Sequence, residues 1–102
     1  MATLLVLYKT PKDPAAFDRH YSEVHIPLAK KMPGLRSYRV SKGVVGTPAG
    51  ASGIHLVATL TFDSLAAIQA GLGSPEGAAA AGDLANFAAA GVDLYMFEDA
   101  AA

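Results

Sequence analysis

Four short runs of strand-forming apolar residues are interleaved with two stretches of helical periodicity, in the order βαββαβ. This order predicts an α+β fold of the ferredoxin-like kind. Short connections and the right-handed crossover rule give a four-stranded antiparallel sheet with two helices on one face. Size supports the reading. The chain has 102 residues, enough for one domain spanning 1–102. Hydrophobic residues make up 52% and charged residues 17%, which excludes a disordered chain.

Thr3 to Lys9 (TLLVLYK) is the first strand, ended by Thr10-Pro11. Asp13-Pro14 starts a helix: Asp13 can cap the free N–H groups and Pro14 suits the first helical position. Phe17, Tyr21, Val24 and Leu28 form its apolar stripe, and Pro33-Gly34 ends the segment. Leu35 to Val44 is the second strand. Gly43 to Gly53 is a loop longer than a tight hairpin, expected to be mobile or functional. Ile54 to Phe62 (IHLVATLTF) is the third strand. Asp63-Ser64 opens a helix to about Leu72, and Ser74-Pro75 restarts it with Leu84, Phe87 and Ala88 on one face. Gly91 closes it, Val92 to Glu98 is the fourth strand, and Asp99 to Ala102 is a frayed tail.

Successive strand residues point to opposite faces. In the first strand Leu4, Val6 and Tyr8 oppose Leu5 and Leu7. In the third, Ile54, Leu56, Leu60 and Phe62 oppose His55, Val57, Thr59 and Thr61. In the fourth, Val92, Leu94 and Met96 oppose Tyr95 and Phe97. A sheet with one wet face should alternate apolar and polar. Several of these strands are apolar on both sides, and two helices cover only one. The remaining face implies a partner, most simply a second copy of the chain.

Other classes are excluded. Formal net charge is −1, which argues against a nucleic-acid binder driven by counterion release. Lys30, Lys31, Arg36, Arg39 and Lys42 are read as a solvated face, since the third strand lacks the central stacking aromatics of RNA-recognition modules. No apolar run of about 18 residues could span a bilayer. The N-terminus lacks the basic start of a signal peptide, so the expected location is the cytoplasm. Cysteine is absent, which removes disulfides, thiol catalysis and thiolate metal sites. No HExxH, Walker or dinucleotide-binding pattern appears, and no metal or cofactor is expected.

Phe17, Tyr21, His25-x-Pro27-Leu28, Pro33-Gly34-Leu35 and Tyr38 form a pattern that resembles the EthD family, named for ethyl tert-butyl ether degradation, in the dimeric α+β barrel superfamily. Ser74-Pro75-Glu76-Gly77, Asp83 and Asn86-Phe87 fit the same family. The resemblance implies a homodimer with its sheets packed face to face, and a small-molecule pocket between sheet and helices. Relatives include cofactor-free monooxygenases and muconolactone-type isomerases, with histidines and tyrosines lining the pocket.

His25 is the main candidate for acid–base chemistry. Pro27 cannot donate a backbone bond, so the helix should kink or break there and free the carbonyl of Glu23. A partly buried histidine beside that break can move protons near neutral pH, or merely cap the freed carbonyl. Tyr38, expected at the same end of the domain, could assist through its phenol. Tyr21 and His55 are candidate substrate-binding residues. His20 and His25 are five apart, roughly 140° around an α-helix, so they should face different ways, with His20 solvated beside Glu23. The expected function is a cofactor-free oxidoreductase or isomerase acting on a small apolar or aromatic carbonyl compound. The alternative is a non-catalytic ligand-binding or accessory subunit of a catabolic pathway.

Overall fold

A computed structural model describes all residues from Met1 to Ala102. The main strands are β1 (Ala2–Lys9), β2 (Ser37–Val40), β5 (Ile54–Phe62) and β6 (Val92–Glu98). They form one sheet in the order β2-β5-β1-β6, with every neighbour antiparallel. This is the ferredoxin-like arrangement. β1 is central and carries one face of the core through Ala2, Leu4, Val6 and Tyr8, all buried. Leu5 and Leu7, on its other face, are only half-buried.

The first helical segment is continuous but not uniform. It runs as α1 (Pro14–His20), a π-helical turn (Tyr21–His25) and α2 (Ile26–Ala29). Asp13 caps it by accepting a bond from Ala16 N at 3.1 Å. The expected break at Pro27 does not occur, since the backbone stays right-handed helical at His20, Tyr21, His25 and Ile26. Instead Ile26 N donates to the carbonyl of Tyr21, five residues back. The widened register accommodates a proline that has no N–H for Glu23 and whose ring would crowd that carbonyl in an ordinary helix.

The second helical segment consists of α3 (Leu65–Leu72) and α4 (Pro75–Phe87). Ser64 and Ser74 cap them by accepting bonds from Ala67 N and Gly77 N. The junction is tight. A Cβ placed on Gly77 would stand 2.1 Å from the carbonyl oxygen of Gly71.

Several boundaries differ from expectation. β2 is four residues, because this edge strand leaves the sheet before Gly43, where φ reaches +74° and favours glycine. Val44 is therefore solvent-exposed. The loop from Gly43 to Gly53 contains a small hairpin, β3 (Gly46–Thr47) paired with β4 (Gly50–Ala51). The tail is tied at its start: Asp99 N donates to Met1 O, and Thr3 Oγ1 donates to the Asp99 carboxylate at 2.8 Å. No helix is long and apolar enough to cross a membrane.

Candidate active site between sheet and helices

The π turn decides which side chains face the sheet. Phe17, Tyr21, His25 and Ala29 are all buried, at a spacing of four throughout. Val24, expected on this stripe, is exposed. An i→i+5 turn also brings residues five apart onto one face. His20 and His25 therefore converge on a single carboxylate, against the expectation that they diverge. Asp83 of α4 accepts from His25 Nδ1 at 3.0 Å through Oδ2. It also accepts from His20 Nε2 at 2.8 Å and from Asn86 Nδ2 at 2.9 Å, both through Oδ1. His20 thus faces Asp83, not Glu23. No group of three or more His, Cys, Asp or Glu side chains is arranged to hold a metal ion.

His25 does not cap the Glu23 carbonyl. Its second ring nitrogen, Nε2, faces Tyr8 Oη at 3.4 Å, a long contact. Tyr8 comes from the centre of the sheet, so a carboxylate, an imidazole and a phenol form one buried line from α4 to β1. Tyr21 stacks on His25 with centroids 5.5 Å apart, and its hydroxyl meets that of Tyr38 at 2.5 Å. Phe87 packs 4.8 Å from the His25 ring.

Burial and hydrogen bonding set the charges. Burial pushes the His25 pKa below its usual value, outweighing the upward pull of the Asp83 bond and charge. The imidazole is therefore neutral at pH 7. Burial alone would raise Asp83, but the bonds from Asn86, His20 and His25 outweigh it and hold the carboxyl below its usual range. Burial, with the neighbouring phenols, lifts Tyr8 and Tyr21 well above the ordinary tyrosine range, and burial also raises Tyr38.

Tyr8, His25 and Tyr38 line one narrow cavity of about 50 Å³ between the sheet and the helices. Thirteen of its fifteen lining residues are hydrophobic, and the only nitrogen or oxygen side-chain atoms come from these three. Leu94, on the outer strand β6, is half-open to solvent at the cavity's edge.

His55 stands apart from this group. Strict alternation would send it to the free face of the sheet. A bulge intervenes: Tyr8 pairs with Leu56 but Lys9 pairs with Ile54, so His55 is an extra residue in β5. Its side chain turns towards α1, bonds Asp18 Oδ1 at 2.7 Å and meets Phe17 edge-on at 4.9 Å. It borders a surface groove beside Lys42, Gly43 and Val44, with Tyr21 at the groove's inner wall. It makes no bond to His25.

No spacing in the sequence marks Tyr8 or the His20–Asp83 contact, and Asp83 stands out there only within the family pattern. Asp83 carried a signal nonetheless. It falls three residues after Ala80 and four before Phe87 on the buried stripe of an alanine-rich helix, and a carboxylate on an apolar stripe needs a partner.

Comparison with known proteins agrees with this layout. The EthD domain family matches residues 9–91. An uncharacterised 11.0 kDa protein of the thcB–thcC intergenic region of Rhodococcus erythropolis is 40% identical over 101 residues, covering 97% of this chain and 95% of its own. The crystal structure of an EthD family protein from Bacillus halodurans superposes with a TM-score of 0.89 at 36% identity, covering 98% and 99% of the two chains. SnoaB from Streptomyces nogalater, described as a cofactor-independent oxygenase, shares the fold at a TM-score of 0.70 and 14% identity, over 99% and 94%. A family match across most of the chain and two relatives of this identity lead to one conclusion: the chain belongs to the EthD domain family.

Proposed function

We propose that this protein is a small proton-transferring enzyme, of isomerase or oxidoreductase type, that works without a cofactor on a neutral, mostly apolar carbonyl compound. One observation carries the reading: a buried Asp83–His25 pair ends at the wall of a mostly apolar cavity that also holds the Tyr8 and Tyr38 phenols. His25 removes a proton from the carbon beside the substrate carbonyl, and that C–H electron pair becomes the enolate. Tyr38 lines the same cavity and donates a hydrogen bond to the developing oxyanion. Returning the proton at a second carbon completes an isomerisation, and an oxygenation, in which dioxygen takes the enolate electrons, would begin with the same proton removal. Tyr21 supports Tyr38 from behind through the hydroxyl contact. His55 borders the outer groove and contributes to entry rather than to chemistry. The absence of any cationic lining residue favours a neutral ligand. SnoaB, of the same fold, is named as a cofactor-independent oxygenase, and a related ferredoxin-like protein from Bacteroides fragilis is named as dimeric. Both names support a reading as a cofactor-free homodimer joined through the open sheet face.

One observation favours the rival, a ligand-holding or accessory protein, in its accessory form with a filled pocket: the cavity has room for only a few waters. The test begins with a binding screen of small aromatic ketones and lactones. Turnover and thermal midpoint of His25→Ala and His25→Asn then separate the readings. A hundredfold or greater loss of turnover in folded variants supports proton transfer, since a positioned acid–base group contributes about that much. Full turnover in folded His25→Ala removes His25 from the chemistry, whereas compounds that bind the parent without being turned over move the assignment to the ligand-holding role.

A further inference from the structure

We propose that Asp83 is the positioning residue of this site, holding His25 in its Nδ1–H tautomer so that the bare Nε2 faces Tyr8 and the cavity. The catalytic consequence rests on the proton-transfer reading above; the tautomer does not. An ionised carboxylate only accepts hydrogen bonds. Asp83 Oδ2 lies 3.0 Å from His25 Nδ1, so that nitrogen carries the proton and donates. A neutral imidazole has one N–H, so Nε2 has a free lone pair. Tyr8 Oη faces that lone pair at 3.4 Å, a loose contact that a substrate can displace.

The two oxygens of Asp83 have unequal duties. Oδ1 accepts from both His20 Nε2 and Asn86 Nδ2, at 2.8 and 2.9 Å, whereas Oδ2 receives His25 Nδ1 and a longer contact from His20 at 3.1 Å. In an Asp83→Asn variant the amide has one oxygen for these donors. It is best placed at the Oδ1 position, where two donors converge at short range. The amide NH2 then takes the Oδ2 position and points at His25 Nδ1. That nitrogen must become an acceptor, and the imidazole proton moves to Nε2. An isosteric change therefore inverts the tautomer and presents the cavity with a donor where a base stood. His20, being partly exposed, anchors the carboxylate from the solvent side.

Long-range ¹H–¹⁵N correlation spectra of the full chain, at about pH 8 where imidazole is neutral, read the tautomer without any substrate. The expected wild-type spectrum shows His25 protonated at Nδ1; protonation at Nε2 overturns the proposal, whether or not any variant folds. Asp83→Asn is expected to give the Nε2–H form, and an unchanged Nδ1–H form overturns the proposal. Once a substrate is found, Asp83→Asn should lose about a hundredfold or more in turnover. An inverted tautomer with full turnover supports the tautomer assignment and refutes proton transfer by His25, so the two failures are distinguishable.

Discussion

His25 occupies the inward position that a regular helix would give to Val24: the histidine is 5% exposed and the valine 40%. The extra residue of the π turn produces this exchange, and everything at the site depends on it. With α-helical spacing from Tyr21, an apolar valine would face Phe87 and Asp83 would lose its buried donor. Single π turns of this kind recur at functional sites because they re-aim a side chain without breaking the helix.

If the turn is a one-residue insertion, removing an exposed residue inside it should restore an ordinary helix. Ser22 is exposed and bonds only the carbonyl of Arg19, at 3.3 Å. Its deletion would put Phe17, Tyr21, His25 and Ala29 at spacings of four, three and four, a regular amphipathic stripe. We expect the deletion variant to unfold cooperatively with the His25 tautomer unchanged but at a lower thermal midpoint, since an ordinary helix sets the Pro27 ring against the Glu23 carbonyl at a cost of about 3 kcal/mol. Loss of cooperative unfolding would show that the wide turn is integral to the packing.

The sequence made the element order, the three helix starts and the core face of β1 readable, because each depends on neighbours a few residues away. Asp13, Ser64 and Ser74 cap as their types suggest. The errors have a common cause in register. Counting at 3.6 residues per turn placed Val24 inside and separated His20 from His25. Counting by two placed His55 on the free face, and one extra residue in β5 reversed that. Asp83 lies 58 residues from its main partner, so only the packing of α4 against the first helical segment reveals its role.

Acid should destabilise the fold, with both site groups acting in the same direction. His25 has a folded pKa below its ordinary value near 6.5, so the unfolded chain binds the proton first as pH falls. Its contribution is present above about pH 6.5 and is lost below it. Asp83 is also depressed, so its contribution is lost at lower pH, as its carboxyl protonates in the folded state. Thermal midpoints between about pH 7.5 and 5 should fall steadily for the parent and less steeply for His25→Gln, which has no imidazole to protonate. Equal slopes would place the titration elsewhere.

The Tyr21–Tyr38 contact separates support from chemistry. Tyr21→Phe removes a hydroxyl whose main partner keeps access to the cavity, and should cost about 1 kcal/mol of stability with a small effect on turnover. Tyr38→Phe should cost similar stability but lower turnover about a hundredfold, the scale of a lost oxyanion donor. Chemical denaturation and steady-state kinetics on both variants decide the matter. Equal kinetic effects would make the pair purely structural.

Two glycines of α4 should respond to alanine with opposite signs. A Cβ on Gly77 would meet the backbone of Gly71 and Leu72 at 2.1 to 2.7 Å, and neither can yield without separating α3 from α4. Gly77→Ala should destabilise by about 1–3 kcal/mol or more. At Gly82 an added methyl meets nothing within 4 Å, and Gly82→Ala should stabilise by about 0.5–1 kcal/mol through helix propensity. Thermal midpoints moving in the same direction would contradict the packing described at the α3–α4 junction.

The proposed homodimer makes a demand on the open face of the sheet. There Leu5 lies between Tyr95 and Thr59, Leu7 pairs across to Val57, and Phe97 stands beside Thr3. Tyr95 and Phe97 are 55% and 42% exposed, on a face that no helix covers. A second copy is the simplest cover for such a surface, since a two-fold contact matches apolar centre to apolar centre. Light scattering at micromolar concentration should give about twice the chain mass of 10.4 kDa. Tyr95→Glu with Phe97→Glu would bury two unpaired carboxylates in that contact, so the double variant should run as a folded monomer. Val44→Glu, in the loop and away from the sheet, should leave the dimer intact. A parent protein that is monomeric at these concentrations, or a double variant that still dimerises, would rule out this face as the interface.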